Sequence, residues 1–114
     1  MKEFLFIYRR EANTQSLQLT PEQLQQMSRP WEDWMKNLAA QGKLADRGHK
    51  LHPDGKTVNP GDVVMDGPFA EIKEVVGGYS VIRAADSAEA AEIAKGCPIF
   101  QVGGNVEVRE LVKM

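Results

Sequence analysis

Residues 4–8 read FLFIY, an unbroken apolar run of strand length set between the charged side chains of Glu3 and Arg9. Such a run has no polar side to offer water, so it marks a strand covered on both faces and placed centrally in a sheet. The elements on either side must supply that cover. Downstream, the polar connection RREANTQS leads to Thr20, Pro21 and Gln23, which suit a helix N-cap, the first helical position and a capping-box partner. Leu19 and Leu24 stand where a hydrophobic staple would hold the entry angle. Leu24, Met27, Trp31, Trp34, Met35 and Leu38 then recur in steps of three and four, lining one helical face as far as Gly42, the expected stop. Pro30 lacks a donor and crowds the carbonyl four residues back, which predicts a kink, or a break with Ser28 restarting the helix.

KLADRGHKL (residues 43–51) reads as a second strand, with Gly48 as a bulge or point of close approach. HPDGK and NPGD are turn signals on either side of a short extended piece at Thr57 and Val58, which predicts a small hairpin excursion. DVVMD is the next strand. GGYSVIRA (residues 77–84) is another, with Tyr79, Val81 and Arg83 on one face and Ser80, Ile82 and Ala84 on the other. Asp86 caps a second helix with Glu89 at the capping-box position, and Ala88, Ala91 and Ala94 form a narrow face for packing on a sheet. Gly96 and Pro98 end that helix, and NVEVRELV (residues 105–112) is the last strand. The order is α+β: ferredoxin-like βαββαβ with an inserted β-hairpin, an antiparallel sheet and both helices on one face. The helix-free face of a sheet that carries FLFIY needs its own cover, and a second copy of the chain is the simplest one, so a homodimer is expected.

At 114 residues the chain reads as a single domain, residues 1–114, with 16 acids against 14 bases and a net charge of −2. That balance argues against direct nucleic-acid binding, which needs a basic excess. MKEFLFIYRR is too short in apolar residues for a signal-peptide core or a membrane span, so a cytoplasmic protein with no membrane partner is expected. The single cysteine, Cys97, fits a reducing compartment and reads as a small buried hydrophobe between a helix end and Pro98. With only His49 and His52 beside it, no metal-site spacing arises and no cofactor is implied.

The chemistry concentrates in MDGPFAEIKEVVGGY (residues 65–79). An aspartate at a turn ordinarily accepts the N–H two residues on, but position 68 is proline and has none, so Asp66 must find a basic side chain, water or a ligand, unless Phe69 N–H serves. Pro68 should also hold Gly67 extended. Glu71 and Lys73 would share one side of an extended loop, able to pair with each other or to meet a polar ligand, if they are more than solvated charges. Gly77 and Gly78 read as a bulge before the Tyr79 strand. His49 is the histidine inside a predicted strand; near Asp66 it would make a base with an orienting acid, although its polar neighbours also suit a surface histidine. Trp31 and Trp34 fit a core or interface, with a stacking platform for a flat ligand as the functional alternative. The candidate site is therefore Asp66 and His49 as catalytic groups, with Tyr79, Trp31, Glu71 and Lys73 binding a small molecule. A concave pocket faced by Asp66 would favour this reading over a non-catalytic interaction module.

The pattern DGPF-x-E-x-KE-x-x-GGY, carried by Asp66, Gly67, Pro68, Phe69, Glu71, Lys73, Glu74, Gly77, Gly78 and Tyr79, resembles the YCII-related family, specifically its DGPF-motif branch. The resemblance runs from FLFIY to the last strand. It implies a dimeric α/β barrel of ferredoxin-like subunits. Some relatives carry a proposed His and Asp dyad with the histidine on the first helix; no histidine lies between Thr20 and Gln41 here, so that dyad does not carry over. The resemblance also implies a possible regulatory role as a companion of an alternative sigma factor.

Overall fold

The computed structural model describes residues 1–11, 21–52, 54–67 and 74–114. Strands β1 (Lys2–Glu11), β2 (Leu44–Asp46), β3 (Lys56–Asn59), β4 (Val63–Asp66), β5 (Glu74–Ala84) and β6 (Asn105–Glu110) and helices α1 (Pro21–Ala40) and α2 (Ser87–Ala94) make a mixed α+β fold. The main sheet is antiparallel with strand order β2-β5-β1-β6, which places the FLFIY strand between two neighbours and is consistent with a ferredoxin-like fold. β3 and β4 form a separate two-stranded ribbon.

Alternation along β1 sends Phe4, Phe6 and Tyr8 inward, against Ser80, Ile82 and Ala84 of β5, with Met35 and Leu38 of α1 closing the core. Phe4, Phe6 and Ile82 are completely buried, each favourable by about 1.5–3 kcal/mol of transfer free energy. Leu5, Ile7, Tyr79 and Val81 point the other way and are half-buried. Among the described residues no helix lies on that side, and the thinnest dimension, 18 Å, matches one helix layer on one sheet layer. Arg9 and Arg109 flank this open face and both bind Glu107, at 2.9 and 3.2 Å, holding its carboxyl below the ordinary range.

Several expectations change on contact with tertiary structure. The expected cap Thr20 and staple Leu19 lie outside the described residues, as do Pro68, Phe69, Glu71 and Lys73. α1 runs through Pro30 without a break, and Ser28 does not restart it: its hydroxyl donates to Gln25 O at 3.1 Å. Packing of the Trp31 to Leu38 stripe on the sheet outweighs the one lost backbone bond. At the other end, Lys43 N donates to Leu38 O and Gly42 N to Ala39 O, the Schellman pairing that stops the helix. α2 buries Ala90 and Ala94 rather than an Ala88, Ala91 and Ala94 face; a helix this short touches the sheet along one i, i+4 stripe, and Ala88 and Ala91 are exposed. Its cap is as expected, with Asp86 Oδ1 accepting from Glu89 N at 2.8 Å.

DVVMD joins no strand of the main sheet. The NPGD turn, with Gly61 at φ 84° and Asp62 at φ 62°, folds β4 directly back on β3, pairing Val58 with Val64 and Thr57 with Met65. The second expected strand is also shorter than its polar pattern suggested. β2 ends at Asp46, whose Oδ1 accepts from Gly48 N at 2.7 Å, and regular pairing gives way to one bridge between Lys50 and Gly78. Gly48 is the close-approach point: at φ 72°, an added Cβ would stand 1.8 Å from Tyr79 O. Gly77 is the bulge, since pairing with β1 skips from Gly78 to Val76 between Tyr8 and Arg9.

Candidate functional site

Asp66 is the last residue of β4, and its carboxylate is met by Lys56 Nζ, its cross-strand neighbour, at 2.5 Å. The side chain is otherwise exposed, at 92%. Of the partners expected for it, a basic side chain is present, Lys56 of the same hairpin, while Phe69 lies outside the described residues. Thr57 Oγ1 donates to Gly67 O at 2.9 Å and Gly67 N donates to Gly55 O at 2.6 Å, which ties the strand end to the start of β3. Gly67 itself takes φ 85°, outside the extended region expected before a proline. That restriction arises largely from a Cβ clash, and glycine has no Cβ.

His49 lies on the segment that follows β2 along the edge of β5. Its backbone oxygen accepts from Tyr79 N at 3.2 Å, and its exposed imidazole lies 6.2 Å from the Tyr79 ring, tilted by 59°. The Gly78 contact explains the closeness, because an added Cβ there would meet His49 O at 2.9 Å. His49 and Tyr79 are therefore brought together by backbone pairing. Among the described residues Asp66 meets Lys56, not His49. His52 keeps to its own turn, with Nδ1 accepting from Asp54 N at 3.0 Å. No group of three metal-ligating side chains occurs among the described residues, and none of the described helices is long and apolar enough to cross a membrane.

A family model, the YCII-related domain, matches residues 1–114. The chain belongs to the YCII-related family. No curated protein matches it.

Trp31, the remaining candidate of this YCII-related chain, sits on the opposite side of the sheet from Tyr79. It meets the Tyr8 ring edge-on at 4.9 Å and the Trp34 ring at 5.9 Å, while Trp34 lies 6.3 Å from Tyr8 and 6.5 Å from Phe6. The β5 alternation separates the candidates: Ser80 faces the helices with Trp31, and Tyr79 faces the open side with His49. Arg47 ties the two layers together, its guanidinium paired with Glu32 of α1 and its carbonyl accepting from Ser80 Oγ at 2.7 Å.

Tyr8 is the residue that sequence reasoning passed over. It is 5% exposed, and among the described residues its hydroxyl has no partner in strict hydrogen-bond geometry. Burial raises its pKa well above the ordinary phenol value, with neighbouring Ser80 easing the shift and Cys97 adding to it. Ser80 Oγ gives its own proton to Arg47 O and keeps its lone pairs, so it stands beside the Tyr8 hydroxyl as an acceptor. Cys97 is likewise buried, its thiol pushed up to about 12. The signal was available: alternation in FLFIY puts Tyr8 inward with Phe4 and Phe6, a hydroxyl in an otherwise apolar row.

Proposed function

We propose that this protein, of the DGPF-motif branch of its family, binds a small polar metabolite at the strand end occupied by Asp66, which acts there as the acid or base. The observation that supports the reading is the state of the Asp66 carboxylate: exposed, at the end of a ribbon, and paired with the flexible cation of Lys56. A single exposed ion pair contributes about 0–1 kcal/mol, so a ligand cation or hydroxyl displaces it at little cost. His49, Tyr79, Glu71 and Lys73 are the further binding residues of this proposal. The working unit is a cytosolic homodimer of barrel type, joined through Leu5, Ile7, Tyr79 and Val81.

Thermal-shift screening of the wild type and Asp66→Asn against a metabolite library tests the ligand reading. A compound that stabilises the wild type and not the variant is the expected result. A screen without hits, with the variant strongly destabilised, sinks it in favour of a structural aspartate. Light scattering tests the dimer, and a stable monomer at micromolar concentration would remove it. A second reading, a non-catalytic interaction or regulatory module such as a companion of an alternative sigma factor, is favoured by one feature: Val58, Val63, Val64 and Met65 are all exposed on the ribbon.

A further inference from the structure

We infer that the β3–β4 ribbon is an exchanged arm: in the dimer, the ribbon of each protomer lies on the helix-free sheet face of the other, with Asp62 at its tip meeting the arginines that flank that face. The inference rests on the dimer reading and goes beyond it, because two sheet faces can join without any part for the ribbon. Its starting point is that the ribbon lacks support. Among the described residues β3 and β4 pair with each other and pack to no extent on a helix or a main-sheet strand. The radius of gyration, 15.6 Å, exceeds the value of about 13 Å for a compact chain of this length, which agrees with a projecting ribbon. A lone two-stranded hairpin is marginal in water. This one is also apolar on both sides: Val58 and Val64 are a cross-strand pair on one, Val63 and Met65 lie on the other, and all four are exposed.

Charge chooses the occupant. Between residues 54 and 66 the ribbon carries Asp54, Asp62 and Asp66 against one base, Lys56, and Asp66 takes that base. The turn holds Asp62 at φ 62°, and among the described residues no cation meets its carboxylate. The helix-free face has the opposite balance. Its apolar centre, Leu5, Ile7 and Val81, is half-buried. Arg83 on this face is matched by Glu3 at 3.9 Å, whereas Arg9 and Arg109 share the single carboxylate of Glu107, which leaves one positive charge over. An acidic apolar arm and a basic-rimmed apolar face are complementary, yet within one chain they stay apart. A second copy brings them together, and a twofold axis makes the contact twice.

Sedimentation of the full-length protein reads the exchange. The wild type should be dimeric at micromolar concentration. Asp62→Lys and Arg109→Glu, each alone, should raise the dimer dissociation constant about tenfold or more, because each sets like charges against one another twice per dimer. An equimolar mixture of the two variants should recover wild-type affinity, since in the mixed dimer both arms meet an opposite charge. Pairing inside one chain gives no such recovery. Asp62→Asn, which tolerates the same positive φ, should weaken the dimer by less than the lysine variant does. Val64→Ser should weaken it about tenfold through lost apolar contact. If the wild type is a monomer, the dimer reading falls and the exchange with it. If the wild type is a dimer, the exchange alone is overturned when either charge variant or Val64→Ser associates as tightly as the wild type, or when mixing restores nothing; the ribbon is then left for a different protein.

Discussion

The four-stranded sheet and the two-stranded ribbon use the same kind of residues to opposite effect. Phe4, Phe6 and Ile82 of the sheet are 0% exposed, whereas Val58, Val63 and Val64 of the ribbon are 69%, 52% and 56% exposed. Both regions are extended because β-branched and aromatic side chains favour the pleated backbone. Only the sheet has helices to pack on, and burial rather than strand formation is what stabilises. Among the described residues the ribbon that carries Asp66 is held by its own pairing and by the Gly67 to Gly55 bond across its open end, and its apolar side chains are exposed, so it contributes little to the core.

The contrast can be broken most directly by truncation. Phe6→Ala should cost about 3–5 kcal/mol in urea unfolding, and Val64→Ala less than about 0.5 kcal/mol within one protomer. A large, concentration-dependent cost for Val64→Ala would mean that the ribbon is covered by another chain. Gly48→Ala should cost about 3 kcal/mol, since the added methyl meets Tyr79 O and φ is positive. Gly61→Ala, also at positive φ but in open space on the ribbon turn, should cost about 1 kcal/mol.

Alkaline pH separates the regions in another way. Burial pushes the Cys97 thiol up to about 12 and raises the Tyr8 phenol. The folded chain then keeps protons that the unfolded chain has released, so stability falls as pH rises. The decline should begin near the ordinary thiol value of 9.0 and continue toward 12. Cys97→Ala should flatten that limb in pH-dependent unfolding, while substitutions in the ribbon should leave it unchanged. Asp86→Ala, removing the α2 cap, should cost about 1 kcal/mol. The smallest effect belongs to the ribbon: Lys56→Ala should shift stability by less than about 0.5 kcal/mol.

How much of this was legible depended on whether the signal was local. The inward row Phe4, Phe6, Tyr8, the β5 faces, the Asp86 cap and the Gly48 and Gly77 features follow from period-two alternation, cap chemistry and glycine spacing, all of which act over a few residues. The α2 face and the length of the second strand were misread because several arrangements satisfied the same local pattern. The candidate site was legible as a set of residue types, not as a place. Trp31 and Tyr79 looked compatible along the chain, yet they stand on opposite sides of β5, while the buried Tyr8 hydroxyl became visible only when its neighbours were known.

By itself the sequence determined the order of strands and helices, which side of β1 and β5 faces inward, and the class of fold that this order permits, because backbone preference and hydrophobic period are properties of short segments. Tertiary structure alone decided that Pro30 lies inside a continuous helix and which polar groups meet: Asp66 with Lys56, His49 with Tyr79, Ser80 with Arg47. Those outcomes depend on distances between residues far apart in the chain, and on a desolvation that exists only once the layers have closed.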